Sequence, residues 1–503
     1  MRNFYILVVA VAFFQHSVAQ TVNDITYFLG SELNGSARYN SMAGAFGALG
    51  ADLSAISQNP AGSSVFLHSE FGGTLTYTNK AVEGSYFGTT KSKEDSDLKF
   101  DQIGAVFVFN NTDTDSPWSR ISAGMNSHRI SKFDQDARVY GSNTTGVDQY
   151  FLYFADGLAF NNLPIYENET IPEVYRVLGE NNGFAAQQAF LAYQAYVINP
   201  VSFEDNNTEY FSNVEYDRVN QELSILTKGL HRKTSFNISA LYGNILHIGA
   251  NINIHKLEYH SDQNFYETNQ YNTSPVFNIE FENGLSSYGE GFSTQLGSIL
   301  RLKNIRLGLT YDSPQWLSIT DETQQALSSN YLEQGLTVIE SVRPDITNFY
   351  DTYQLKIPSK TTFSFAYIHG KNGLISMDYS IQDASNTVLS REGGSTYLDE
   401  LTASLSGPYG SIQTLKLGGE YRLRDFRLRA GVLNRKNAQK TISSSDTAYT
   451  FGLGMDFGSN SLSLSLVNFN QNKQFQMFSE GLTAPYTLSH SITQVSLSYN
   501  VKL

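Results

Sequence analysis

The side chains able to do chemistry are few and poorly spaced for it. Of nine histidines, His247 and His255 fall on one face of one alternating segment. They are eight residues apart, about 27 Å at ~3.4 Å per residue, which is too far to share a metal ion. The run ARYNSMAGAFGALGADLSAISQNPAG (37–62) contains Gly44, Gly47 and Gly50. Its G-x-x-G-x-x-G spacing is neither G-x-G-x-x-G nor G-x-x-x-x-G-K-[ST], and no strand leads into it, so phosphate binding is not expected. Cysteine is absent, which removes thiol catalysis, disulfides and a thiol-linked lipid anchor together. We read a non-enzyme without metal or cofactor; a hydrolytic site assembled from distant loops is the alternative that spacing leaves open.

The elements available to position these residues are strands. Val495, Leu497, Tyr499, Val501 and Leu503 alternate with Gln494, Ser496, Ser498, Asn500 and Lys502, and Leu246 to Ile254 alternate with His247 to His255 in the same way. Such sets lie on opposite faces of a strand. Strands are expected near 71–82, 100–110, 119–132, 234–242, 245–257, 293–302, 305–313, 361–369, 373–381, 413–423, 426–434, 449–457, 461–468 and 493–503, fourteen in all. Short links alternate with long polar ones, and both ends fall on the short-turn side. This is the pattern of an outer-membrane β-barrel, with short periplasmic turns and long extracellular loops. No stretch is long and apolar enough for a transmembrane helix. Aromatics make up 13% of the chain, 31 Tyr and 33 Phe against 2 Trp, which suits the aromatic girdles of such a barrel. The net charge of −14 with dispersed Lys and Arg argues against nucleic acid.

Charge falls on the polar parity in mid-strand at Arg301, Arg306, Lys416, Glu420, Arg422, Arg427 and Arg429. Charge toward lipid is costly, so this parity is assigned to the lumen. Two segments are less regular. QELSILTKGL (221–230) is assigned to a helix or to the second long loop, because a further strand would make the count odd. IPEVYRVLGENNGFAAQQAFLAYQAYV (171–197) has helical spacing, and helices there would roof the barrel, either as a structural cap or as a ligand entrance.

The N-terminus is read as a signal peptide, residues 1–19, with Arg2, an apolar run over 4–14 and the small-residue site Ser17-Val18-Ala19. Residues 20–70 lack alternation and are read as a plug, followed by the barrel over 71–503. Small residues let a folded segment fit inside a barrel, and Asn59-Pro60-Ala61-Gly62 is the bend joining plug to wall. The plug carries Arg38, Gly44, Phe46, Asp52, Ser54, Asn59, Pro60 and Gly62, and these resemble the hatch of the FadL-type outer-membrane transporters of long-chain fatty acids and other hydrophobic compounds. DSPQWLSIT (312–320) and AYIHGKNGLISMDYS (366–380) are similar to the hemin-receptor branch of that family. One departure is the terminal Leu503, where an aromatic residue is usual.

The resemblance implies an outer-membrane transporter working without chemistry. A hatch would close the lumen, a hydrophobic small molecule would be taken from outside, and release would be lateral, through a gap beside a kinked strand. The third strand, SRISAGMNSHRIS (119–131), is where a kink would lie, with Gly124 and Asn126 interrupting its apolar face; an ordinary weak strand is the plain reading. The lumenal cations would hold a carboxylate head or pair with Glu420 and Asp52. Two alternatives remain at this stage. One is a binding or scaffold barrel whose long extracellular loops meet a protein partner. The other is a haem receptor using His128, His260 or a tyrosine as axial ligand.

Overall fold

Period-two alternation becomes one closed antiparallel sheet. The computed structural model describes residues 22–30, 32–113, 115–270 and 273–503; the signal peptide expected over 1–19 lies outside them. Among the described residues fourteen strands form the wall. The first six are β1 (Glu70–Tyr86), β2 (Thr89–Asn110), β3 (Trp118–Lys132 continued by Gln135–Asn143), β4 (Val219–Tyr242), β5 (Leu246–Asn269) and β6 (Val276–Leu302). Next come β7 (Ile305–Asp312 continued by Gln315–Glu333) and β8, whose pieces are Leu336–Val342, Asn348–Phe349, Tyr353–Ile357 and Lys360–His369. The wall is completed by β9 (Gly373–Asp383), β10 (Ser411–Leu423), β11 (Phe426–Arg435), β12 (Asp446–Asp456), β13 (Asn460–Gln476) and β14 (Pro485–Lys502). The barrel closes where β1 pairs with β14, from Glu70↔Lys502 to Ser85↔Thr487.

Several strands far exceed the ~9–11 residues that cross a bilayer; β6 alone has 27. Their inward and outward parity is constant, but its chemistry inverts along the axis. In the lower part of β5, Ile248, Ile252 and Ile254 point outward and are exposed, while His247, Asn251, Asn253 and His255 point inward and are buried. Above His255 the polar set, including Lys256, Glu258 and Asp262, points outward, and Leu257, Tyr259 and Phe265 are buried inside. β4 and β6 do the same: Phe236, Ile238, Phe292 and Leu296 are exposed below, while Leu223, Ile225, Ile279 and Phe281 are buried above. The lower half is thus built for lipid outside and polar contents inside, and the upper half for water outside and apolar contents inside.

This inversion corrects two expectations. Residues 221–230 are neither helix nor loop but the upper half of β4, and since they continue an existing strand the count stays even. Much of the polar sequence between the expected strands, including parts of 83–99, 258–292 and 314–360, also extends strands where long polar links were expected. Beyond the wall, α3 (Asp148–Ala155), α4 (Ile171–Gln194) and α5 (Thr396–Ser406) stand over the upper end, and α4 breaks at Gly183, whose φ is +80°.

The N-terminal segment runs inside the barrel. α1 (Val22–Phe28) sits high, packed in the upper apolar core, and α2 (Ala37–Ser41) sits low among β12, β13 and β14. Ser36 caps α2 by accepting from the Tyr39 amide at 3.0 Å and donates to Asp52 at 2.8 Å; Asp52 accepts from the Ser54 amide at 2.9 Å. Gly50 has φ +63° and packs on Gly62, whose carbonyl accepts from the Ala51 amide at 3.1 Å. Small residues also let plug and wall backbones touch, as Gly47 does against Gly308.

Candidate functional site

The inverted strands create two compartments in one lumen. The upper is a cavity of about 1460 Å³. It is positioned by α3 (Tyr150, Tyr153, Phe154), the start of the second half of α4 (Phe184), the inward faces of β4, β5 and β6 (Leu223, Phe265, Phe281, Leu285), and the β13–β14 loop (Met477, Phe478). The rings interlock: Tyr150–Phe478 centroids are 4.7 Å apart, Phe265–Phe478 5.1 Å and Phe154–Phe184 5.6 Å. Burial raises the Tyr150 phenol well above its usual range, so it lines the cavity as a neutral hydroxyl at ordinary pH. The opposite side of the cavity is polar and charged, with Asp351, Arg391, Glu392, Asp399, Glu400 and Glu480, so the aromatic side offers a hydrophobic small molecule one apolar wall and its polar end a set of charged partners.

The floor of this cavity is the plug. Asn23 of α1 lines it, and below stands a collar in which Tyr27 stacks on Phe475 at 5.1 Å, and Phe28 meets Phe133 and Tyr259 at 5.8 and 5.5 Å. Under the collar lies a smaller cavity of about 220 Å³ that Phe28 also lines. Its walls are polar, with Lys233, Lys416, Lys473 and Arg435 beside Glu32, Asp312 and Asp446, and with the histidines 128, 231 and 255. His231 and His255 bond each other at 3.1 Å, and His255 bonds Ser293 at 2.9 Å. α1 therefore separates an aromatic compartment from a basic one.

The hatch residues singled out in the sequence meet the lower wall through specific bonds. The Phe46 and Gly47 amides donate to Asp378 at 3.1 and 3.0 Å, with Gly44 at φ +69° turning the chain before them. Asn59 accepts from the Ala61 amide at 3.1 Å, capping the turn that Pro60 opens, and donates to the Gly47 and Ser298 carbonyls at 2.6 and 3.1 Å. Arg38 donates to the Ala51 carbonyl at 2.6 Å and reaches Glu420 at 3.4 Å. Glu420 is buried and also bonds Arg422 and Arg429, each at 2.8 Å. Asp52 is bonded within the plug rather than by the wall arginines.

The other proposed cations divide. Arg306 donates to the Leu49 carbonyl at 2.6 Å, and Lys416 lies 5.9 Å from the Tyr39 ring. Arg301 is exposed at the short-turn end, and Arg427 bonds the Arg424 and Phe426 carbonyls. His128 lines the lower cavity, and His260 bonds Ser286 on β6 and Glu258 on its own strand β5, and neither lines the aromatic compartment.

Gly124 and Asn126 lie in unbroken register with β2 and β4, at Val106↔Gly124↔Asn237 and Gly104↔Asn126↔Ser235. The departure from barrel register falls further along. Pairing of β3 with β2 stops at Gln102↔His128, the ladder with β4 shifts between Arg129 and Ser131, and β3 itself breaks at Phe133-Asp134. Above this fork β2 continues with β1 alone to Tyr86↔Thr89, and the upper piece of β3 pairs with β4 alone. The signals that sequence reading missed were the bulge at Asp101 and Gly229, whose φ of +118° accommodates the break as its amide donates to Asp134 at 2.9 Å.

No family model and no curated protein matches the chain. Among solved structures, a Pseudomonas aeruginosa FadL homologue aligns over 94% of this chain and 99% of its own at 12% identity, with a TM-score of 0.53. The Pseudomonas putida toluene transporter TodX aligns over 94% and 100% at 14% identity (TM-score 0.49), and the CymD monoaromatic hydrocarbon channel over 94% and 99% at 12% (TM-score 0.48). The chain has the fold of the FadL homologue: a fourteen-stranded barrel of FadL type.

Proposed function

We propose that this chain carries hydrophobic small molecules across the outer membrane, captured from outside in the aromatic compartment and released at the fork between β2 and β3. The observation that carries this reading is the inverted upper lumen, where a cavity of about 1460 Å³ with one aromatic wall, made by α3 and the inward faces of β4, β5 and β6, ends on α1 of the plug. A lumen built only as a scaffold has no need to turn phenylalanines inward above the membrane. Each methylene moved from water into such a compartment gains ~0.8 kcal/mol, so a long acyl chain would be captured without an energy source. Long-chain fatty acids are the class the hatch resemblance implies. The basic compartment under α1 supports an acidic head, since Lys233, Lys416 and Lys473 line it.

The test is native mass spectrometry of the purified barrel, with uptake of a pyrene-labelled fatty acid by cells expressing it. A co-purifying hydrophobic ligand, lost with Phe281→Ala and Phe478→Ala together, is expected. An empty barrel with unaltered uptake in that variant overturns the reading. A second reading, a protein partner outside the cell, is favoured by Phe203, Leu336, Ile339 and Phe349, which are about 70% exposed on the outer extensions. Stable co-isolation of a protein dependent on those four side chains would support it.

A further inference from the structure

We propose that the periplasmic rim of the lumen is a docking surface for an acidic, extended segment of a periplasmic protein. The chain carries a net charge of −14, yet three of its short hairpin ends are basic. The β6–β7 end brings Arg301, Lys303 and Arg306, the β8–β9 end Lys371, and the β10–β11 end Arg422, Arg424 and Arg427, against one acidic turn residue, Asp425. In a barrel of this pattern the short turns face the periplasm.

The arginines of this rim stand against their own kind. Arg301 lies directly opposite Arg306, and Arg422 directly opposite Arg427. Like charges facing each other across an antiparallel pair repel, and the fold supplies little to offset them. Among the described residues Glu420 is the only carboxylate in ion-pair contact with any of the four, through Arg422 at 2.8 Å. Arg306 donates to the Leu49 carbonyl, and Arg427 to the Arg424 and Phe426 carbonyls. Arg120 of β3 is a fifth guanidinium on a carbonyl, that of Ser64 in the plug, at 3.1 Å. The rim therefore holds positive charge that the chain itself leaves unbalanced.

The direction of these side chains points away from the bilayer. Leu302, Ile305, Leu423 and Phe426, each next in sequence to one of the four arginines, are exposed on the lipid-facing row, so the arginines take the opposite parity and turn to the lumenal mouth. Cations that serve lipid headgroups would stand on the outer row. β7, β8, β9 and β10 pair in succession, so the two arginine pairs lie three strand spacings apart, about 14 Å at ~4.8 Å each. The inward residues between them, Ile368 and Leu374, are apolar. An extended chain covers that distance in about four residues at ~3.4 Å each. The complementary segment thus carries carboxylates at that spacing, each received by a guanidinium pair whose planar forks match it. Lys303, Lys371 and Arg424, exposed at the turn tips, widen the positive field that steers it in.

The test uses the full barrel in nanodiscs of zwitterionic phosphatidylcholine, and a fluorescein-labelled peptide with a glutamate at every fourth position. Fluorescence anisotropy is expected to show binding at low salt that weakens as salt rises. Arg301→Gln with Arg427→Gln, neither of which bonds the plug, should lower the affinity by about tenfold. Lys228→Gln with Lys256→Gln, at the other end of the wall, should leave it unchanged. Heat-modifiable migration on gels confirms that each variant has formed the barrel. No binding by the unaltered barrel, equal binding of a peptide with glutamine in place of glutamate, or equal binding by the arginine variant overturns the docking surface. Native mass spectrometry with added phosphatidylglycerol is the second arm: lipid retained by the unaltered barrel and lost from the arginine variant would assign the rim to headgroups and overturn the protein partner. Neither arm contains a ligand for the aromatic compartment, so the outcome is independent of the uptake reading.

Discussion

The lower and upper halves of this barrel are made by the same strands with the same parity, yet they solve opposite problems. Below about His255 the interior is polar and holds a plug by directional bonds. Above it the inward faces of β4, β5 and β6 are apolar and form the aromatic side of a cavity whose other side is polar. The difference teaches that in a long-stranded barrel the solvent outside dictates what the inside can be. Lipid outside demands an apolar outer face, so the inner face is free to be polar; water outside releases the apolar set to turn inward.

The comparison breaks most severely if the lower half loses its central carboxylate. Glu420 serves Arg38, Arg422 and Arg429 at once, with its side chain 2% exposed. Glu420→Ala leaves three guanidinium groups facing one another between plug and wall. Removing one partner of a buried pair costs roughly 3–5 kcal/mol. A fall of that order in urea stability is expected, with loss of the plug's protection from protease. No change in either would mean that the plug is held by shape alone, as the upper half is.

The next test places the same charge at both levels of one strand. Ile252→Lys puts an ammonium on the lipid-facing belt, where roughly 2–4 kcal/mol is lost at mid-depth. Asp262→Lys, higher on β5 and also outward, should stay within about 0.5 kcal/mol. Equal costs, read by urea-induced unfolding in lipid vesicles, would dissolve the distinction between the halves. A smaller effect is expected at Gly47→Ala, where the new methyl meets Ser364 and Asp378. Overpacking costs roughly 1–3 kcal/mol, and here it should weaken plug docking without touching ligand retention above.

The lower half was legible in the sequence for the same reason. Its strands alternate against lipid, so Leu462, Leu464 and Leu466, or Val495 and Leu497, declare their face without any partner, and all fourteen strands appear where alternation places them. The plug was legible through composition, because Gly47 and Gly50 have meaning only where two backbones touch. The upper half was not. In QELSILTKGL the apolar residues still alternate, but their face is opposite to that of the segment after it, and a reading that asks for one constant apolar side finds no strand. Of the cavity residues, Phe265 and Phe281 face each other across the β5–β6 hairpin, but Phe478, from the β13–β14 loop, meets them only through the barrel's closure. The fork was missed because Gly124 resembles a weak point locally, whereas the break depends on a bulge in β2 and on Gly229 in β4, each visible only as a failure of register between strands.

The finest test asks whether the upper half holds a ligand or merely a void. Phe265 is buried on β5, lines the large cavity and packs edge-on against Phe478 at 5.1 Å. Phe265→Ala removes a ring from the wall of an existing cavity, where the space merges with what is already open. The strand that carries it keeps both ladders, at Leu223↔Phe265↔Phe281. Stability should therefore shift less than for a ring in a closed core. Binding should respond more, because a bound chain loses one aromatic face along its length. A tenfold fall in ligand retention, about 1.4 kcal/mol, is expected by native mass spectrometry at matched detergent concentration, with the urea midpoint moved only slightly. If the midpoint falls steeply and retention does not, the aromatic compartment is the core of the extracellular cap, and a ligand, if any, sits in the basic compartment below α1.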